Sequence, residues 1–143
     1  MLFNLHEHLF HNLVSFLNFK IMTKKEIAQD FLNLAAKGHS HEAFRLYVGE
    51  KFKHHNAYFK GDADTLMLAM EESTRTNPNK IFKIHHILED GNLVAVHSHL
   101  KQTPVDLGFA VVHILKFKAD KIVEFWDLGQ PIPKEPINEN GMF

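Results

Sequence analysis

Apolar residues recur at helical spacing along the first half of this chain and alternate with polar ones along the second. Thr23-Lys-Lys-Glu26 has the spacing at which a hydroxyl and a carboxylate satisfy two unpaired helix amides reciprocally. Ile27, Phe31, Leu34 and Ala35 follow on one helical face, and Gly38 stops the run as a C-terminal cap. Ser40 is expected to cap a second helix carrying Phe44, Tyr47 and Val48 inward. Asp62 is expected to cap a third, with Leu66, Met70 and Ser73 on one face and Asn77-Pro78 at its end. Between these two helices, Gly49 to Gly61 reads as irregular and contains His54-His55-Asn56.

From Lys80 the period becomes two. Phe82, Ile84, His86 and Leu88 alternate with Ile81, Lys83, His85 and Ile87, and Asp90-Gly91 is a hairpin signal. A second strand, Leu93 to Gln102, puts Leu93, Ala95, His97 and His99 on one side. A third, Gly108 to Lys118, puts Phe109, Val111, His113 and Leu115 on one side. Asp120-Lys121 turns into a fourth, Lys121 to Leu128, with Val123, Phe125 and Asp127 opposite Ile122, Glu124 and Trp126. Helices followed by an antiparallel meander predict an α+β fold with the helices on one face of a curved sheet. The tail from Pro131, with three prolines, reads as an extended cover or a loose end. No repeat or linker divides the chain, and the expected limits are an extension over 1–22, one domain over 23–135 and a tail over 136–143.

Residues 1–22 are rich in Phe and Leu, with Leu5, Leu9, Phe10, Leu13, Phe16 and Leu17 on one helical face. No basic segment precedes the apolar residues and no small-residue cleavage site follows, so a secretory signal is not expected. The stretch is too interrupted for the run of about 20 mostly apolar residues that spans a bilayer. His8 and His11 share its polar face. The clean helix cap just after Met22 also allows Met22 as the natural start.

Composition narrows the function. The chain has 143 residues, 45% of them hydrophobic, which suits one globular domain with room for a cavity. Sixteen basic residues against 17 acidic leave no cationic stripe, so nucleic acid is not an expected partner. The absence of cysteine excludes disulfides and thiolate chemistry and fits a reducing, cytoplasmic setting. Twelve histidines stand out, many in close pairs.

Three groups could carry chemistry. His97-x-His99 puts two imidazoles on one strand face, roughly 7 Å apart. They could bind a polar ligand, or a metal if His113 or Asp127 supplied a third ligand. Asp127 ends an apolar strand, where burial would suit its carboxyl to acid or base duty. His55 lies in the irregular stretch beside Asn56, where a scaffold often carries functional groups.

The loop Lys53-His54-His55-Asn56 with Gly61, the hairpin Glu89-Asp-Gly-Asn-Leu-Val-Ala-Val-His97, and Gly108-Phe-Ala-Val-Val-His113 resemble the SnoaL-like branch of the nuclear transport factor 2-like superfamily. So do Lys121-Ile-Val-Glu-Phe-Trp-Asp127 and Gln130-Pro-Ile-Pro133, and the likeness covers roughly 23–135. The resemblance implies a cystatin-like cone, a curved antiparallel sheet closed by N-terminal helices, commonly paired as a homodimer through the sheet. It implies an aldol-type polyketide cyclase acting on a small carbonyl compound without cofactor or metal. Asp127 would be the acid and base with His55 as its catalytic partner. His97, His99, His113, Asn56, Trp126 and Gln130 would line the substrate pocket. Many similar sequences have aspartate at the position of His113 and proline at that of Ala57. A non-catalytic ligand-binding domain and a histidine-dependent metal enzyme remain the alternatives.

Overall fold

The computed structural model describes residues 21–143. Most of the expected amphipathic extension, with His8 and His11, therefore lies outside the described residues. Three helices, α1 (Lys24–Ala36), α2 (Ser40–Tyr47) and α3 (Ala63–Thr76), pack against a five-stranded sheet. Its strands are β1 (Val48–His54), β2 (Ile81–Asp90), β3 (Leu93–Lys101), β4 (Phe109–Lys118) and β5 (Lys121–Pro131).

The start of α1 is capped as expected: Thr23 Oγ1 accepts from the Glu26 amide at 3.2 Å, and Glu26 Oε2 accepts from the Thr23 amide at 2.8 Å. Asp62 caps α3 by accepting from the Thr65 amide at 2.8 Å. The cap expected at Ser40 is displaced. His39 precedes α2 and makes no side-chain cap bond, while Ser40 is fully buried inside the helix.

The strand order is β1-β5-β4-β3-β2. Consecutive strands from β2 to β5 pair antiparallel, as the meander predicted. The stretch after Gly49 is not irregular throughout. Val48–His54 forms β1, which runs parallel to β5 at the sheet edge, with His54 opposite Phe125. In the β2–β3 hairpin, Asp90 pairs with Leu93, so Gly91 and Asn92 are the central residues. Gly91 has φ +58° and Asn92 is not in the left-handed region, which matches a turn requiring glycine at its first central position. Gly108, entering β4 with φ +81°, has no room for a side chain, since a Cβ would lie 2.2 Å from the Leu100 carbonyl oxygen.

Two irregularities change which side chains face the helices. The β2–β3 register shifts between Ile84 and His86, leaving His85 as an extra residue. Phe82, Ile84 and Ile87 therefore pack on the core, while Leu88 is exposed. In β5 the shift falls at Val123, because Phe117 pairs with Ile122 and Lys116 with Glu124. Ile122 thus joins Phe125 on the inner face, correcting the expected alternation. Phe31 of α1 sits at the centre of the core, 5.3 Å from the Phe44 ring and 6.1 Å from the Phe125 ring. Burying each such ring contributes roughly 1.5–3 kcal/mol.

The tail is a cover. From Pro133 to Met142 it borders a groove of about 840 Å³ on the outer face of β3, β4 and β5. Phe143 ends it beside the rings of His85, His99 and His97, at 4.4, 4.6 and 5.4 Å. Among the described residues, no helix is long and apolar enough to cross a membrane.

Candidate functional site

His113 of β4 and Asp127 of β5 are direct cross-strand partners, and both face the helices. Their side chains share the wall of a cavity of about 230 Å³ between the inner sheet face, α1 and α3. Leu32, Ala35, Leu66, Met70, Phe82 and Val111 make most of that wall apolar. Its polar lining comes from Asn56, Ser73, Lys80, His113 and Asp127.

The loop after β1 brings Asn56 to Asp127 through a chain of local bonds. His54, alternating inward after Phe52, is buried, and its Nε2 donates to the Lys60 carbonyl at 2.7 Å. That leaves Nδ1 to accept from the Asn56 amide at 3.2 Å. The Asn56 side-chain oxygen accepts from the Tyr58 amide at 2.9 Å, which turns Nδ2 toward Asp127. Nδ2 donates to Asp127 Oδ2 at 2.8 Å. The carboxylate is held but not sealed, with 28% of its side chain exposed.

His113 is the more buried partner. Its Nε2 lies 3.7 Å from Asp127 Oδ1, and its ring is flanked by Phe82 and Phe125 at 6.1 and 5.4 Å. Burial pushes its pKa below the ordinary histidine value, and the nearby Asp127 charge only partly offsets this. The ring is therefore neutral at pH 7. Nδ1 is buried and has no partner among the described residues. A bare acceptor is less costly there than an unpaired N–H, which assigns the proton to Nε2, facing Asp127 and the cavity.

The other expected site residues go elsewhere. One residue past His54, His55 alternates to the outer face. There its ring stacks on Trp126 at 4.9 Å with planes 7° apart, and its Nε2 lies 2.8 Å from Glu124 Oε1. The expected convergence of His55 with Asp127 therefore does not occur, and Trp126 leaves the pocket with it. Glu124 also meets Lys53 at 3.1 Å and Lys116 at 3.5 Å. Its carboxyl is held below the usual range, chiefly by the His55 hydrogen bond, against the opposing effect of burial.

His97 and His99 also face outward, opposite to the buried Val96 and Ser98. His97 Nδ1 is 3.2 Å from His86 Nδ1 with the ring planes 3° apart, and His99 Nε2 donates to the Leu107 carbonyl at 2.7 Å. Gln130 lines the groove under the tail with His97. Since the sheet separates His97 and His99 from His113 and Asp127, the metal set of the alternative reading does not come together. Among the described residues, no three histidine, aspartate or glutamate side chains converge to hold an ion.

No protein-family model matches the sequence, and no curated protein matches it. Solved structures do. A nuclear transport factor 2-like protein of unknown function from Cytophaga hutchinsonii superposes with a TM-score of 0.65 at 14% identity, over 79% of this chain and 95% of that one. The fold is nuclear transport factor 2-like. A candidate polyketide cyclase from Bacillus cereus shares it at a TM-score of 0.63 and 25% identity, over 76% of this chain and 79% of that one. A candidate isomerase of the SnoaL-like family from Agrobacterium tumefaciens matches at 0.61 and 14% identity, over 76% and 99%.

Within this nuclear transport factor 2-like frame, the sequence pattern assigned no role to two residues, His54, which braces Asn56, and Lys80, which lines the cavity. His54 was overshadowed by its neighbour, although Phe52 and His54 share a parity. Lys80 shares the parity of Phe82 and Ile84, and that signal alone would have turned it inward.

Proposed function

We propose that this chain is an acid–base enzyme acting on a small carbonyl compound without a cofactor. The observation that carries the reading is the meeting of Asp127, neutral His113 and Asn56 on the wall of an otherwise apolar cavity. The Asp127 carboxylate takes a proton from the carbon next to a carbonyl. The electron pair moves onto the carbonyl oxygen, and His113 Nε2–H donates a hydrogen bond to the enolate that forms. Asn56 keeps the carboxylate pointed at the substrate. From the enolate, return of the proton to another carbon gives an isomerase. Attack of the enolate carbon on a second carbonyl of the same molecule, followed by protonation of the new alkoxide, gives an aldol cyclase. The second course is favoured by the candidate polyketide cyclase among the similar structures. In this scheme His113 takes the role that the family resemblance implied for His55.

Proton–deuterium exchange at the α-carbon of ketone probes, followed by NMR in D2O, tests the common step. Asp127→Asn should slow exchange by about 10²–10⁴-fold while leaving the circular dichroism spectrum unchanged. Exchange at the same rate in the variant removes Asp127 from the chemistry. Probe binding with no exchange in the unmodified protein supports a ligand-binding domain instead.

A further inference from the structure

We propose that Lys80 is an anion anchor and that the compound taken into the cavity carries a carboxylate, making it a small keto acid. This rests on the carbonyl chemistry assigned above to Asp127 and His113 in the same cavity. Lys80 directly precedes β2 and turns its side chain into the cavity lining. The ammonium is half buried, and its hydrogen-bond partners among the described residues are two hydroxyls, Ser73 Oγ at 2.7 Å and Thr74 Oγ1 at 3.4 Å. Neither carries a charge. No carboxylate among the described residues pairs with it, although the lysines around Glu124 and at Asp62 all find one. Burial accordingly pushes its pKa down. An ammonium has three protons to donate, and the two hydroxyls leave one for a ligand. A half-buried cation without a counter-charge gains most from a ligand that brings one.

The arrangement sets the ligand's polarity. β2 and β5 are separated by β4 and β3, three strand spacings or roughly 14 Å at the backbone. Lys80 thus enters the cavity wall from the β2 side and Asp127 from the β5 side. A carboxylate at Lys80 stays clear of the Asp127 charge, and the carbonyl reaches His113 across Phe82 and Val111. A cavity of about 230 Å³ is smaller than the roughly 300–1,000 Å³ usual for organic ligands, which restricts the compound to a short chain. One ammonium balances one carboxylate, and no second cation lines the cavity for a phosphate.

The test compares 4-oxopentanoate, 5-oxohexanoate and 6-oxoheptanoate with their neutral amides, by NMR titration of the full chain. In the unmodified protein at least one acid should bind tenfold or more tighter than its amide, shifting Lys80 and Ser73. Lys80→Gln should erase that preference, Lys80→Arg should retain it, and thermal unfolding of each variant monitors the fold. Asp127→Asn should leave the preference intact. Equal binding of acid and amide, binding of neither, or a preference that survives in Lys80→Gln overturns the proposal and leaves Lys80 as a brace for the end of α3. If the preference holds while exchange does not depend on Asp127, the anchor stands and the enzymatic reading fails.

Discussion

On the inner face of β4, His113 sits among Phe82, Phe125 and the Asp127 carboxylate, whereas on the outer face of the same sheet His85, His86, His97 and His99 lie side by side, all but His86 against Phe143. The outer group has more imidazoles, yet they answer mainly to one another. His86 and His97 meet nitrogen to nitrogen, and His85 is pushed down by burial and then by Lys83 and its histidine neighbours. His113 has no cationic neighbour of that kind. Burial alone keeps it neutral, beside a carboxylate and an open cavity. The contrast teaches that a count of histidines does not locate chemistry. A single desolvated ring facing an acid and empty space can do more than four that share a surface.

Replacing His113 breaks the comparison most directly. His113→Leu should slow α-proton exchange by about 10²-fold, as expected for loss of one hydrogen-bond donor to the enolate. His97→Leu, on the other face, should leave the rate unchanged. Stability should move the opposite way, because hydrocarbon replaces a buried ring whose Nδ1 has no partner among the described residues. The pH dependence follows from the lowered pKa. The unfolded chain binds a proton at this histidine near its ordinary value of 6.5, and the folded chain binds it only at lower pH. The neutral ring's contribution is therefore fully present above that value and is lost as pH falls through the folded pKa. Urea unfolding between pH 5 and 8 should show a shallower acid decline in His113→Leu. A decline equal to that of the unmodified chain would assign the acid sensitivity to other groups, of which His85 is the first candidate.

The outer face can be sharpened by removing its cover. A chain ended after Ile132 loses the residues over Ala110, Val112 and Leu128 and frees the rings under Phe143. If this face pairs two copies, as the family resemblance implies, the shortened chain should sediment as a larger species than the full chain at equal concentration. An unchanged sedimentation coefficient would mean that the tail does not compete with such pairing. Exchange at Asp127 should change little, because the sheet lies between.

How much of this could be read from the sequence depended on how local each signal was. The caps at Thr23 and Asp62 are set within four residues, and the structure has them where the sequence put them. The alternation of β4 was legible as well, with Val111, His113 and Leu115 facing the helices. Two single-residue irregularities, at His85 and Val123, defeated the parity of β2 and β5, since an extra residue swaps the faces of all that follow. The cost was smallest for Asp127, which lies beyond the Val123 irregularity on the parity of Phe125. β1 was hidden because its partner lies some seventy residues away and because Gly49 and Lys51, the latter at φ 56°, interrupt its pattern. With β1 unseen, nothing in the pattern opposed the pocket role that the resemblance implied for His55, and His54 was left without one.

His55 gives the smallest expected effect and the cleanest check on the assignment of faces. Its ring is 45% exposed, stacked on Trp126 and hydrogen-bonded to Glu124, which keeps Lys53 and Lys116 as partners if the ring is removed. His55 is half exposed and the buried Glu124 carboxylate retains two lysine partners, so His55→Ala should lower the melting temperature by no more than about 3 °C. The Glu124 carboxyl should titrate at higher pH in the variant, because the largest influence holding it down is gone, and carbon NMR of that side chain would register the change. The α-proton exchange rate should stay within about twofold of the unmodified chain, well short of a catalytic loss. A fall as large as that predicted for His113→Leu would mean that His55 reaches the cavity in the working enzyme. The outward stack on Trp126 would then be only one of its positions, and the division of labour between the two faces would have to be redrawn around the loop that follows β1.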